Sequence, residues 1–290
     1  MSVLAYPPDR LSMLSPVVQS ILAIVVLALL AVILVARLVG LLRAMPFTPI
    51  QSVLWGYNYL MARILWRATI EGQFDLPAGT GAVIVCNHRG PIDPSFVALA
   101  TKRVVHWMVA KEFWTPSLVA WLLRTTGSIP VSRGGIDTAA TKMAIRLAQQ
   151  GEVLGLFPEG RINKSDELLM PGRPGAAMIA LRARVPIVPC YLEGSPDPPT
   201  TFGFLFMPAK ARLVIGRPID LSPYYSREND RKVLEEITKR MMREIARLAG
   251  QPDFEPRLAG RFYRPDLAEA SGDNGGGNGQ PEKLATQSSD

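Results

Sequence analysis

The sequence AVIVCNHRGPIDPSFVALA occupies residues 82–100. Its first five residues form an uninterrupted apolar run with the length and β-branched composition of a buried strand. A polar turn with Gly90 and Pro91 follows, and residues 94–100 predict a helix. A strand that leads through a polar turn into a helix is the unit from which α/β domains are built.

Working outward, short apolar runs alternate with amphipathic segments along most of the chain. The predicted strands lie at 82–86, 104–109, 153–157, 186–191 and 211–215. The predicted helices lie at 94–100, 117–124, 137–149, 176–184 and 228–248. We therefore predict an α/β domain over residues 72–250, with a largely parallel or mixed sheet flanked by helices.

A charge-free stretch precedes this domain at residues 17–36. At 1.5 Å per residue it spans the roughly 30 Å hydrocarbon core of a bilayer, and it is longer than the apolar region of a signal peptide. Arg37 and Arg43 follow it, whereas Arg10 is the only basic residue before it. The positive-inside rule thus predicts a single span within residues 1–45 and a main domain on the cytoplasmic face.

The segment between the span and the domain, residues 46–71, has apolar side chains at helical spacing and several aromatic residues. Its apolar stripe includes Ile50, Val53, Leu54, Tyr57, Met61, Ile64 and Leu65. Such a stripe predicts an amphipathic helix that lies in the membrane interface. A helix packed against the soluble domain would show the same pattern.

Composition narrows the classes of partner. Of 290 residues, 48% are hydrophobic, which excludes a wholly disordered chain. The C-terminal extension, residues 251–290, is Gly- and Ser-rich from about residue 271, and we predict disorder from there on. The formal net charge is +7, which favours anionic partners. Without zinc-finger spacing or an aromatic RNA-binding signature, membrane lipid is the expected partner and nucleic acid is not. Two histidines exclude a metal site built on several histidines.

The polar turn at 87–93 contains the first candidate catalytic residues. His88 can act as a general base near neutral pH if a second group fixes its tautomer. Asp93 lies five residues further on, and Gly90 and Pro91 disfavour a continuous helix between them. A turn here can fold the carboxylate back onto the imidazole.

The aspartate and the histidines also have explanations that require no catalytic role. Asp93 directly before Pro94 is typical of a helix N-cap followed by proline at the first helical position. His106, the second histidine, lies inside an apolar run and is predicted to be a buried core residue.

Two further polar clusters follow predicted strands. Residues 127–135 place two glycines and Arg133 before a predicted helix, where free backbone amides and a guanidinium can bind phosphate, although a plain turn explains them equally. Glu159 also follows a predicted strand and can bind substrate hydroxyls or pair with an arginine, with a solvated turn as the alternative.

Four motifs occur in a fixed order. They are Asn-His-x4-Asp at Asn87, His88 and Asp93, Gly-x-Ile-x-Val-x-Arg at 127–133, Phe-Pro-Glu-Gly at 157–160 and Val-Pro-Ile-Val-Pro at 185–189. Together they resemble the glycerolipid acyltransferase family, typified by 1-acylglycerol-3-phosphate O-acyltransferases, over roughly residues 72–216. The chain departs from the family at Gly90, where serine is frequent, and at Arg161-Ile162, where Thr-Arg is frequent.

The resemblance implies transfer of a fatty acyl group from acyl-CoA or acyl-carrier protein to the hydroxyl of 1-acylglycerol 3-phosphate. It implies His88 as the base, with Asp93 holding the other imidazole nitrogen, and no acyl-enzyme, metal or bound cofactor. The residues it implies for acceptor binding are Arg133, Glu159, Gly160 and Arg161.

Other activities fit the same motifs. The acceptor can instead be glycerol 3-phosphate, another lysophospholipid or a lyso-aminolipid. A thioesterase and a membrane lipid-binding protein without activity are further alternatives, although the second is expected to have lost its His–Asp pair, which is intact here.

Overall fold

The computed structural model describes residues 15–44, 47–77, 79–115, 117–132, 137–197 and 203–260. The helices are α1 (Pro16–Ala44), α2 (Pro49–Ile64), α3 (Asp93–Thr101), α4 (Ser117–Thr125), α5 (Thr138–Gln149), α6 (Gly175–Ala183) and α7 (Arg231–Leu248). The strands are β1 (Thr69–Glu71), β2 (Ala82–Cys86), β3 (Val105–Ala110), β4 (Ile129–Val131), β5 (Val153–Leu156), β6 (Ile187–Glu193) and β7 (Arg212–Ile215). All five predicted strands and all five predicted helices of the domain are present, with ends shifted by a few residues.

The strands form one seven-stranded sheet in the order β1-β7-β6-β2-β5-β3-β4. Every neighbouring pair is parallel except β6 and β7, so the sheet is mixed, as predicted. The sequence analysis missed β1 and β4, which have three residues each and are too short for a recognisable period. Because β1 pairs with β7, the sheet begins before residue 72, where the sequence places the start of the domain.

Helices cover both faces of the sheet. On β2, Val83 and Val85 pack with α5, α6 and α7, whereas Ala82, Ile84 and Cys86 pack with α2 and α3. All five side chains of this central strand are buried, because a parallel sheet between two helical layers has no solvent-facing side. The central strand is therefore fixed on both sides, and so is the turn that follows it.

The predicted span is part of α1. Residues Pro16–Arg37 have a mean hydropathy of 3.0, and no part of this window is buried against the domain. Among the described residues, α1 is the one helix that is long and apolar enough to cross a membrane.

Helix α2 has two different faces. Ser52 and Ala62 are buried against the domain, and the Asn58 side chain donates to the Ser95 carbonyl of α3 at 2.8 Å. The opposite side exposes an apolar stripe that consists of Ile50, Val53, Tyr57, Leu60 and Ile64. Packing against the domain is therefore present, and an apolar surface remains for the predicted membrane interface.

The first part of the C-terminal extension, residues 251–260, lies against the domain. The Gly172 amide donates to the Arg257 carbonyl, and the Ala259 amide donates to the Gly172 carbonyl. The disorder predicted from about residue 271 and the N-terminal tail before residue 15 lie outside the described residues.

Candidate active site

The carboxyl ends of β2 and β5 lie side by side and bring two of the sequence motifs together. These strands pair in parallel, with Val85 opposite Leu156. The loop after β2 therefore contacts the loop after β5: the His88 amide donates to Glu159 Oε1 at 2.9 Å, and the His88 carbonyl accepts from the Asn163 amide at 2.7 Å. Ligands of α/β sheets bind at this edge.

His88 and Asp93 are in direct contact. Imidazole Nδ1 lies 3.0 Å from Asp93 Oδ2. The carboxylate is fully buried, and the imidazole is 15% exposed. The same Oδ2 accepts the backbone N–H groups of Arg89 at 2.6 Å and Gly90 at 2.8 Å, so the turn itself holds the carboxylate against the ring.

The expectation that Asp93 also caps α3 is wrong. The N-cap is Ile92, Asp93 is the first helical residue, and no side-chain cap hydrogen bond is present. The physical reason is that Asp93 Oδ2 points back to the amides of Arg89 and Gly90, on the side away from the helix.

Asn87 anchors the turn to the neighbouring strand. Its buried side chain donates from Nδ2 to the Leu192 carbonyl at 2.8 Å, and its Oδ1 accepts the Leu192 amide at 2.7 Å. An amide side chain that both donates and accepts in this way imitates a strand residue. Asn87 therefore fixes the residue directly before His88 to β6.

Phe157 supports the face of the imidazole. Its ring is stacked on His88 with 3.7 Å between ring centroids, and Trp107 is stacked on Phe157 at 4.7 Å. A Cβ at Gly155 would lie 2.5 Å from Trp107, so this glycine leaves room for the indole. The sequence analysis assigned Phe157 no role, although it begins the Phe-Pro-Glu-Gly motif.

Glu159 lies inside the protein, where both of its carboxylate oxygens accept backbone N–H groups. Oε1 accepts from His88 and Oε2 accepts from Met170 at 2.9 Å, and the residue is 3% exposed. Burial raises the pKa of Glu159 to about 7, against the opposing effect of these two amides. Glu159 thus links the His88 turn to the segment at Met170, and the alternative of a solvated turn is wrong because the residue is buried. Its predicted contact with substrate stays a prediction.

Arg89 is a second residue that the sequence analysis missed. Its guanidinium donates to the carbonyls of Asn163, Ser165 and Glu167, at 3.3, 2.7 and 2.7 Å. Asn163 is itself buried and bonds within the same segment. Arg89 thus holds the loop after β5 against the turn after β2.

The other residues predicted to bind the acceptor are Gly160, Arg161 and Arg133. Gly160 is exposed, with φ +74°, a conformation that favours glycine. Arg161 is half-buried beside it. Arg133 lies outside the described residues.

The prediction that His106 is a buried core residue is wrong, because the side chain is half-buried: Nδ1 lies 2.7 Å from the Gly127 carbonyl, and Nε2 lies 3.6 Å from the partly exposed carboxylate of Glu152. The cysteines belong to the interior. Cys86 and Cys190 are free and buried. Burial raises the pKa of the Cys190 thiol to about 12 and that of Cys86 well above its usual value.

A polar cavity of about 400 Å³ lies beside the turn. Its lining residues include Arg89, Asn163, Tyr191, Glu193 and Ser195. The cavity therefore borders the loops after β2, β5 and β6, which also form the surroundings of His88.

The chain is similar to known acyltransferases. A family model described as Acyltransferase matches residues 67–193. A Bacillus subtilis (strain 168) protein named 1-acyl-sn-glycerol-3-phosphate acyltransferase is 29% identical over 176 residues, which cover 59% of this chain and 85% of that protein. An uncharacterized Mycobacterium leprae (strain TN) protein is 27% identical over 238 residues. This match covers 68% of this chain and only 61% of that relative's length.

The fold also matches a solved structure. The 1-acyl-sn-glycerophosphate acyltransferase PlsC from Thermotoga maritima superposes with a TM-score of 0.51 at 23% identity. The match covers 64% of this chain and 75% of that protein. The mixed α/β sheet is therefore shared between the two.

Proposed function

We propose that this chain, which is similar to 1-acyl-sn-glycerol-3-phosphate acyltransferases, belongs to the glycerolipid acyltransferase family and transfers a fatty acyl group to the hydroxyl of a lysophosphatidate. The product would be phosphatidic acid, and the donor is acyl-CoA or acyl-carrier protein. The observation that carries the proposal is the contact between His88 Nδ1 and Asp93 Oδ2, at the sheet edge where α/β proteins bind ligands.

In the proposed mechanism His88 is the general base. Asp93 occupies Nδ1, so Nε2 is the nitrogen available to take the hydroxyl proton. The acceptor oxygen attacks the thioester carbonyl as this proton leaves, and the Asp93 carboxylate stabilises the imidazolium that forms. When the tetrahedral intermediate collapses, the thiolate leaves and takes the proton from Nε2. A carbon–oxygen bond thus replaces the carbon–sulfur bond of the thioester, and His88 returns to its neutral form.

The cysteines have no part in this mechanism. Cys86 and Cys190 are buried, and their raised pKa values keep them as thiols at neutral pH. Direct attack by the acceptor hydroxyl requires no acyl-enzyme.

For the acceptor headgroup we propose Arg133 and Arg161 as phosphate ligands, with Gly160 shaping the pocket. A guanidinium binds phosphate through two parallel hydrogen bonds, which suits a phosphate monoester. The position of Gly160 supports its proposed role in the pocket, because it is exposed directly after Glu159. Glu159 in turn contacts the His88 amide.

We also propose that the protein is anchored in a membrane through α1, with the domain on the cytoplasmic face. Pro16–Arg37 has the length and hydropathy of a span, and the exposed stripe of α2 suits the interface next to it. This arrangement would deliver a lysolipid to His88 from the bilayer. A tag after Asp290 that is protease-accessible from outside intact cells would contradict the orientation.

The test is acyl transfer by membranes that contain the full chain, with labelled acyl-CoA or acyl-carrier protein and a panel of acceptors. The panel comprises lysophosphatidate, glycerol 3-phosphate, a lysophospholipid with a larger headgroup and a lyso-aminolipid. Product from lysophosphatidate supports the proposal, whereas product from another acceptor alone would change the substrate. Hydrolysis without acceptor would indicate a thioesterase, and no reaction with any acceptor and either donor would contradict the proposed activity.

A further inference from the structure

A serine in the loop after β6, Ser195, lies next to the carboxylate that holds His88. Its Oγ is buried and has no hydrogen-bond partner among the described residues. Asp93 Oδ1 is buried and unpartnered as well, although Oδ2 of the same carboxylate makes three contacts. A hydroxyl is a donor and a carboxylate oxygen is an acceptor, so the two groups are chemically complementary. Buried polar atoms without partners are rare and call for an explanation.

The two atoms converge on one point beside Gly90. A Cβ built on this glycine would lie 3.3 Å from Ser195 Oγ and 3.4 Å from Asp93 Oδ1. The Pro196 carbonyl is nearer still to this point, at 2.9 Å, so a side chain at position 90 has no room beside the loop after β6. Serine is frequent at this position in the family this chain resembles, whereas here the loop after β6 brings a hydroxyl to the space beside Gly90.

We propose that Ser195 is a positioning residue whose hydroxyl donates a hydrogen bond to Asp93 Oδ1 in the active enzyme. The proposed bond requires the Ser195 side chain to rotate about χ1, so that Oγ reaches Oδ1 across the space beside Gly90. With both oxygens engaged, the carboxylate cannot turn about its Cβ–Cγ bond, and Oδ2 stays directed at His88 Nδ1. This role depends on the proposed function, since it acts through the His88–Asp93 pair.

The test uses the full chain in membranes, with the acceptor that the wild type acylates. Ser195→Ala is expected to lower kcat about tenfold, the effect of one lost hydrogen bond to a charged group, with the acceptor KM within about twofold of wild type. Ser195→Thr keeps the hydroxyl and is expected to retain kcat within about threefold. The matched control is Ser52→Ala, because Ser52 Oγ is also buried and unpartnered but lies on α2. This control is expected to leave kcat and KM unchanged.

Three results would overturn the inference. The first is a wild-type kcat in Ser195→Ala. The second is a higher acceptor KM at unchanged kcat, which would make Ser195 a substrate contact of the polar cavity that it lines. The third is a Ser195→Thr variant as slow as Ser195→Ala at an unchanged melting temperature. If Ser195→Thr has a lower melting temperature than wild type, its kcat no longer tests the role of the hydroxyl. The kcat of Ser195→Ala then decides whether the inference holds. A wild type that acylates no acceptor would instead contradict the proposed function.

Discussion

The ring of Phe157 lies parallel to the imidazole of His88, with 5° between the planes and 3.7 Å between the centroids. Asp93 fixes one edge of the same imidazole through Nδ1. The plane of the ring and its rotation within that plane are thus set by two different segments, the loop after β5 and the first residue of α3. A general base held in this way, the role we propose for His88, needs little reordering when substrate binds.

Replacing Phe157 by leucine should slow the reaction without weakening substrate binding. The Phe157→Leu variant loses the flat surface under His88, and we expect kcat to fall about tenfold, at the lower end of what a misplaced base costs. Steady-state kinetics with the acylated acceptor measures the change. Phe113→Leu is the control, because Phe113 is 50% exposed, and it should keep wild-type kcat. An unchanged kcat in Phe157→Leu would show that the stack does not position the base.

Replacing Arg89 by lysine should loosen the loop after β5. Lysine keeps the charge but cannot donate to three carbonyls from one planar group, as Arg89 does to Asn163, Ser165 and Glu167. We expect a loss of about 2–4 kcal/mol in the free energy of unfolding and faster proteolysis between residues 163 and 167. Lys164→Ala is the control, because Lys164 is exposed in the same loop and pairs with Asp197 at the surface. Equal proteolysis rates in Arg89→Lys and wild type would contradict this role.

The stability of the folded protein should depend on pH because Glu159 is buried. Burial raises its pKa to about 7 in the folded state, whereas an unfolded glutamate has a pKa near 4.5. Between these two values unfolding releases a proton, so stability falls as pH rises from about 4.5 to about 7. The full effect is about 3 kcal/mol.

Glu159→Gln lacks this ionisation, although its NH2 group faces an amide donor and costs the variant some stability at every pH. Relative to this variant, the wild-type melting temperature is expected to decline from pH 5 to pH 8. The measurement is thermal unfolding of both proteins in detergent at several pH values. A relative wild-type melting temperature that rises with pH would mean that the His88 and Met170 amides outweigh burial.

Removing both thiols should leave the reaction in place. Cys86 and Cys190 are buried, and direct transfer requires no nucleophilic cysteine. We expect the Cys86→Ala/Cys190→Ala double variant to keep kcat within about threefold of wild type, the small loss reflecting two deleted sulfur atoms in the core. Wild type should likewise resist a thiol-blocking reagent while folded. A loss of a hundredfold or more at an unchanged melting temperature would point to an acyl-enzyme on sulfur.

The alternation of strands and helices could be predicted because each central element has a clear period or an uninterrupted apolar run. Residues 82–86 are apolar throughout, and the strand they predict is buried on both faces. The pairing of His88 with Asp93 followed from the turn between them. The three-residue strands β1 and β4 carry no such period and appear only once their partners are known.

The supporting contacts of the site could not be predicted, because their partners are backbone atoms or distant rings. Glu159 accepts two amide N–H groups and Arg89 donates to three carbonyls, and neither kind of partner leaves a side-chain pattern in the sequence. The stack of Phe157 on His88 depends on β2 and β5 being neighbours, which is a property of strand order. The sequence motifs thus predicted the contact between His88 and Asp93, and the strand order explains which residues hold the pair in place.

The most direct test of the account is kcat for acyl transfer by His88→Ala, compared with wild type and with His106→Gln in the same membranes. His106 is the matched control, since it is the second histidine and is half-buried, with contacts to the Gly127 carbonyl and the Glu152 carboxylate. We expect His88→Ala to lose about a hundredfold or more in kcat, the effect of removing a general base, while His106→Gln stays within about threefold of wild type. A His88→Ala variant that transfers acyl groups at the wild-type rate would contradict the assignment of His88 as the base.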